Sequence, residues 1–171
     1  MADPDFDSHN VPDGCRTGLA SFDYQVKGDA DVRFMMIVKA DKRTEAGEMP
    51  SEGDLETMGK YNQELIDAGV LVDAAGLQPT SKGARVGLKN GKVVVTDGPF
   101  AETKELIGGY WIINVKSKAE AIEWAKKIPF HKLPNVGREP EVEVRQYFEI
   151  EDFPNASAEV VEQERKHFGR K

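Results

Sequence analysis

Acid–base chemistry in this chain would fall to a few side chains near its middle. The run Thr96-Asp97-Gly98-Pro99-Phe100-Ala101-Glu102-Thr103-Lys104-Glu105 sets a carboxylate at a tight turn, with an aromatic ring beside it and a charged loop after it. Asp97 is a candidate general base. Under a loop that closes over a cleft, desolvation would lift its pKa toward the useful range. The same residue has a structural role open to it, as the Asx-turn acceptor that holds Gly98-Pro99. Asp73, at the end of an apolar run, is the second candidate carboxylate, with a solvated surface acid as the alternative reading. Arg85 and Lys104 suit a substrate carboxylate, or ion pairs with Glu102 and Glu105. Gln78, just before Pro79, offers amide hydrogen bonds. Phe100, Tyr110, Trp111 and Trp124 fit either a pocket wall or a core.

Other chemistries find less support. His9, His131 and His167 are dispersed, and Glu102, Lys104 and Glu105 form no tight metal motif. Cys15 stands alone, so neither an intrachain disulfide nor a cysteine-rich zinc site is available. It reads as a spectator in an N-terminal arm, with an intermolecular bridge or reactive thiol as the alternative. Gly108-Gly109 lacks the strand, glycine loop and helix of a nucleotide fingerprint. No cofactor and no metal are expected.

The elements that must position these residues follow from periodicity. Val32 to Val38 is a nearly continuous apolar run, as in a central strand. Ala40 to Pro50 is polar and turn-rich. Ser51 and Asp54 open a helix in capping-box fashion, with Leu55, Met58, Asn62, Leu65 and Ile66 on one face and Gly69 as its stop. Val70 begins a second strand that runs out near Pro79. Arg85 to Val95 reads as a hairpin turning at Asn90-Gly91, and Tyr110 to Val115 as a further strand. Ser117 and Glu120 cap a helix with Ala121, Ile122, Ala125 and Ile128 inward, ended by Pro129. Glu141 to Ile150 alternates as a half-buried strand, in which Phe148 and Ile150 continue the inward set of Val142 and Val144. Asn155 to His167 reads as a last helix, its acids ahead of its bases.

Without the hairpin, the order is the split βαβ pattern of a ferredoxin-like α+β fold. Both helices then cover one sheet face. The first strand is apolar on both alternating sets, so the second face needs cover too, and a dimer with facing sheets supplies it.

At 171 residues, 39% hydrophobic and 31% charged, the chain suits one domain with extensions. Three segments are expected: an acidic extension over residues 1–31, a domain over 32–153 and a helical extension over 154–171. Of the net charge of −7, the first segment carries most, with seven Asp against Arg16 and Lys27. The remainder has no dense basic face, so nucleic acid is not an expected partner. No apolar run suits a membrane span, and the acidic N-terminus does not read as a secretory signal. A cytoplasmic protein is expected.

The anchors Arg33-Phe-Met-Met-Ile-Val-Lys39, Gly76-Leu-Gln-Pro79, Lys82-Gly-Ala-Arg85 and above all Asp97-Gly-Pro-Phe-Ala-Glu-Thr-Lys-Glu105 resemble the YCII-related family, in its Asp-Gly-Pro-Phe (DGPF) branch. The resemblance covers about residues 33–153. It implies a homodimeric α+β barrel with a cleft in each half. Relatives that act by acid–base chemistry use a His–Asp pair, the His on the first helix, where this chain has none from Leu55 to Ala68. Where relatives carry an acid and a His, this chain has Ala75 and Gln78. The branch also implies a link to extracytoplasmic-function sigma factors. Two readings stand. One is a binding or regulatory dimer holding a small molecule and engaging a protein partner. The other is a cofactor-independent lyase, isomerase or dehalogenase-like enzyme acting on a small anionic or aromatic substrate, with Asp97 and Asp73 handling protons.

Overall fold

A computed structural model describes residues 32–101, 105–133 and 140–167. The acidic extension, with Cys15 and His9, and the loop residues Glu102 and Lys104 lie outside the described residues. Strand β1 (Val32–Lys39) is central to a four-stranded antiparallel sheet ordered β2-β5-β1-β6, with β2 spanning Leu71–Gly76, β5 Ile107–Val115 and β6 Val142–Gln146. Strands β3 (Ala84–Lys89) and β4 (Lys92–Asp97) form a separate hairpin. Its turn has Asn90 at φ 52° and Gly91 at φ 75°, the positive pair that Asn-Gly accommodates.

Helix α2 (Glu52–Asp67) begins as its sequence asks. Asp54 N–H donates to Ser51 Oγ at 3.2 Å, and Ser51 N–H donates back to Asp54 Oδ2 at 3.0 Å. It ends in a Schellman motif, with Gly69 N–H on Ile66 O and Val70 N–H on Leu65 O. The inward face differs from the expected one. Leu55 and Ile66 are exposed, and Tyr61 and Leu65 are the buried residues. A tyrosine can replace the expected aliphatics because its hydroxyl finds a partner, donating to Trp124 O at 3.0 Å.

Helix α3 (Lys118–Lys126) is capped by Ser117 Oγ, while the Glu120 carboxylate accepts from Lys116 N–H, one residue before the reciprocal position. A short helix α1 (Lys42–Glu45) lies within the turn-rich stretch from Ala40 to Pro50, opened by a reciprocal Asp41–Thr44 capping box. Strand β6 stops at Gln146, correcting the expected strand through Ile150. Phe148 is exposed, and residues 150–152 form a 3₁₀ turn. Helix α4 (Ala158–His167) closes the described chain. No described helix is long and apolar enough to cross a membrane.

The core lies between the sheet and helices α2 and α3. Phe34 and Met36 from β1, Trp111, Ile113 and Val115 from β5, Tyr61 and Leu65 from α2, and Ala121 from α3 all belong to it, with Ile128. Registry shows what remains on the other face. Met35 opposes Ile112 and Arg145, Ile37 opposes Tyr110 and Glu143, and Asp73 opposes Ile112. A register shift between Leu71 and Asp73 is what carries Asp73 to this face.

Burial holds the Tyr61 hydroxyl well above the usual phenol range, with the Glu64 charge adding to the shift. The native state therefore grips the proton more tightly than the unfolded chain does. The stabilisation is whole below pH ~10, the unfolded phenol value, and is lost as pH rises through the native value. Tyr61→Phe is expected to cost about 1 kcal/mol at pH 8 and to flatten the decline above pH ~10. Urea denaturation of both proteins at pH 8 and pH 11 checks it; parallel losses would show that Tyr61 does not titrate with unfolding.

Candidate functional site

Most of the sequence-derived residues sit around the hairpin base. The Gly98–Pro99 peptide is cis, and Gly98 N–H donates to Gly83 O at 3.0 Å. Phe100 N–H donates to Thr80 Oγ1 at 3.2 Å, and Thr80 Oγ1 in turn donates to Glu45 Oε2 at 2.5 Å. Arg85 lies over the Phe100 ring, its Cζ 4.1 Å from the centroid. The structure thus brings Arg85 and Phe100 together, as a cation–π pair. Asp97 ends β4 opposite Ala84, with an exposed side chain, and Gln78 is exposed in the turn before Pro79.

Asp73 stands apart, on the sheet face without helices. Its Oδ2 accepts from the Tyr110 hydroxyl at 2.9 Å, and its Oδ1 accepts from Ala74 N–H. That hydrogen bond lifts the Tyr110 pKa above its ordinary value, because an acceptor carboxylate favours the protonated phenol. Tyr147, raised chiefly by burial, feels the same acid. Arg33 covers the Tyr147 ring at 5.0 Å and holds Glu149 in a two-pronged pair at 2.8 and 2.9 Å. Lys39 and Arg145 both pair with Glu143, holding its carboxyl below the usual range, the Arg145 hydrogen bond first. This face therefore has apolar residues at its middle and charged pairs at its rim.

One concave region among the described residues lies on the helix-covered side. A groove of about 340 Å³ runs between the first half of α2 and the edge formed by β2 and β5. Leu55, Met58 and Asn62 come from the helix, while Val38, Ala74 and Trp111 come from the sheet. The groove exists because the strands here carry small residues. Ala74 pairs with Trp111, and Gly76 pairs with Gly109. Gly109 is forced by the neighbouring backbone: a Cβ there would stand 2.8 Å from Ala75 O. Without side chains at Gly76, Gly108 and Gly109, α2 has nothing to close on. Leu55 is left 59% exposed at the groove mouth.

One polar side chain on the groove wall is oriented. The Trp111 indole N–H donates to Asn62 Oδ1 at 2.8 Å. With its oxygen so engaged, the Asn62 amide has its NH₂ left to donate. The site is apolar with one directional donor, suited to a small molecule with an apolar body and a single acceptor oxygen. Among the described residues that line it, Tyr110 is the sole titratable one. None of Asp97, Asp73, Arg85, Gln78 or Phe100 lines it. Asn62 was legible as an inward helix position, but its role needs Trp111 beside it, and no spacing signals that.

Two comparisons bear on these features. A family model described as the YCII-related domain matches residues 32–147, from the start of β1 to just past β6. An uncharacterized protein of Rhizobium meliloti (strain 1021) is 34% identical over 74 residues, covering 43% of this chain and 60% of the relative. The chain thus spans less than two thirds of that relative's length.

Proposed function

This chain belongs to the YCII-related domain family, and on that premise we propose that it is a small-molecule-binding homodimer, with the ligand in the α2 groove. The observation that carries the reading is the Trp111–Asn62 bond on the groove wall, which occupies the Asn62 oxygen and leaves its NH₂ as a donor for a ligand. Its volume falls in the usual range for ligand sites. The strand order β2-β5-β1-β6, with a helix after β1 and another after β5, supports the ferredoxin-like arrangement. The DGPF run at Asp97–Phe100 and Lys104 supports the branch reading and, through it, a regulatory role beside an extracytoplasmic-function sigma factor.

Acetophenone, an aromatic ring with one carbonyl acceptor, is a suitable probe. It is expected to bind with a dissociation constant on the order of 1 mM, ordinary for a fragment of its size. Asn62→Leu is expected to weaken binding about tenfold, the loss of one hydrogen bond to a polar group left unpaired. Calorimetric titration of both proteins checks this; equal affinity would remove the amide from the site.

The dimer reading rests on the helix-free sheet face, apolar at Met35, Ile37 and Ile112 and rimmed by the Arg33–Glu149 and Lys39–Glu143 pairs. That pattern suits an interface. Light scattering is expected to give twice the 19.0 kDa chain mass, and Ile112→Glu is expected to give the single mass. A wild-type monomer at micromolar concentration would end the proposal.

A specific observation keeps the enzyme reading in view: the Asp73–Tyr110 pair lies on the face that such a dimer would enclose. There the carboxylate would take up a substrate proton beside a phenol donor. Asp97 has no such partner among the described residues.

A further inference from the structure

The β3–β4 hairpin is amphipathic. Every residue of both strands is exposed, and none belongs to the core cluster. Registry sets Val86 opposite Val95 and Leu88 opposite Val93, so four aliphatic side chains share one face at 61–75% exposure. Strand alternation puts Arg85, Lys89 and Lys92 on the other face, with Lys89 opposite Lys92 beside the Asn90-Gly91 turn. Residues 80–96 also hold Lys82 and contain no acid, in a chain with 30 Asp and Glu. Asp97, the one acid of the two strands, lies at the base, where β4 rejoins the domain.

A two-stranded ribbon is marginal in water unless something packs on it, and an exposed apolar patch marks a protein or membrane contact. A second copy's hairpin would cover the aliphatic face and leave the cationic face without a function. An anionic bilayer engages both. An amphipathic element lying in a bilayer surface buries its apolar face about 5–10 Å into the boundary between headgroups and acyl chains. A ribbon is itself about 10 Å thick between its two side-chain faces, so the cationic face comes level with the lipid phosphates. The long lysine stems let the ammonium groups reach them. The net charge of −7 does not prevent the approach. Strands of six residues carry the free end up to ~20 Å from its base, about two Debye lengths at 0.1 M salt.

We propose that the β3–β4 hairpin binds the surface of an anionic lipid bilayer. Val86, Leu88, Val93 and Val95 enter the headgroup boundary, and Lys89 and Lys92 meet the phosphates. Arg85 stays at the base, where its guanidinium lies over the Phe100 ring. The contact is peripheral and reversible. One myristoyl chain binds a membrane with a constant of about 10⁴ M⁻¹, and short aliphatic side chains bury less than that chain does. Half-binding is therefore expected at accessible lipid on the order of 1 mM. This surface is separate from the α2 groove and from the helix-free sheet face, so its failure leaves both of those readings standing.

Co-sedimentation of the full chain with vesicles tests the proposal. Vesicles of equal parts phosphatidylserine and phosphatidylcholine are expected to pellet the wild type, increasingly poorly as salt is raised, and pure phosphatidylcholine vesicles to leave it in solution. Lys89→Gln with Lys92→Gln is expected to weaken binding at least tenfold, at about fivefold per cation. Leu88→Ser with Val93→Ser is expected to weaken it at least tenfold as well. All four positions lie outside the core, so both variants are expected to keep the wild-type urea midpoint. Wild type that stays in solution at several millimolar anionic lipid, or that pellets equally with both vesicle types, would overturn the proposal. So would full binding by the serine variant, which would reduce the contact to surface charge. Light scattering without lipid is expected to give the serine variant the wild-type mass. A lower mass would assign the aliphatic face to a second copy instead.

Discussion

Gly98→Ala is expected to release the β3–β4 hairpin from the domain, at a cost of about 2–3 kcal/mol. A Cβ on Gly98 would stand 1.8 Å from the Thr80 carbonyl oxygen and 2.6 Å from its carbon. Both atoms belong to the backbone, so no rotamer change relieves the overlap. The chain must instead give up the bonds that close the hairpin base: Gly98 N–H to Gly83 O, Phe100 N–H to Thr80 Oγ1 and the Thr80–Glu45 clasp. Each is worth about 1 kcal/mol net, and two or three would be lost together. No hairpin residue belongs to the core cluster, so the damage stays local. Hydrogen exchange of residues 84–97 is expected to speed up about 30–100-fold, following ~1.4 kcal/mol per decade. Amides of β1 and β5 are expected to keep their protection. Gly87→Ala is the control, since nothing lies within 4 Å of its added Cβ. It is expected to stay within ~0.5 kcal/mol of wild type. Matching exchange in the two variants would refute the close contact at Thr80.

Trp111→Ala is expected to cost about 3–5 kcal/mol, a large part of the 5–15 kcal/mol that holds a typical domain. The side chain is 7% exposed, stands edge-on to Tyr61 at 5.6 Å between centroids, and bonds Asn62. Its removal opens a cavity that α2 cannot collapse to fill, because Leu65 and Tyr61 already pin that helix to the sheet. Trp111→Phe keeps most of the ring area and loses the indole donor, and is expected to cost about 1–2 kcal/mol. Urea denaturation is expected to show both as lowered midpoints at an unchanged slope. A cost below about 1 kcal/mol for the alanine variant would place Trp111 outside the core.

Local signals were the legible part of this fold. Ser51 and Asp54, Gly69, Asn90-Gly91 and Ser117 each act over three or four residues, and each sets the boundary its chemistry dictates. The apolar run of β1 showed a central strand, and β1 pairs with β5 on one side and β6 on the other. What escaped depends on neighbours distant in sequence. Tyr61 became core because Trp124 offers a carbonyl 63 residues away. Leu55 stayed out because the opposing strands carry glycine and alanine. Strand β6 ended early at Gln146, after which Tyr147 N–H still reaches Arg33 O but Phe148 turns to solvent. The candidate site divided in the same way. The Asp97–Phe100 run showed a tight turn, and the turn is where it stood. Tyr110 and Trp111, open in the sequence to a pocket wall, do line the groove, with Leu55, Met58 and Asn62 of the expected helix face. What the sequence did not show is the space itself, since room left by the missing side chains of Gly76, Gly108 and Gly109 has no motif.

The central claim is that ligand enters between α2 and the β2–β5 edge, with Asn62 as its polar contact. Amide and side-chain NMR shifts during acetophenone titration test it most directly. The account predicts saturable shifts at the Trp111 indole N–H, the Met58 methyl, the Asn62 amide and the backbone of residues 74–76 and 108–109. Shifts centred on Asp97, Phe100 and Arg85, with the Trp111 indole unmoved, would contradict it.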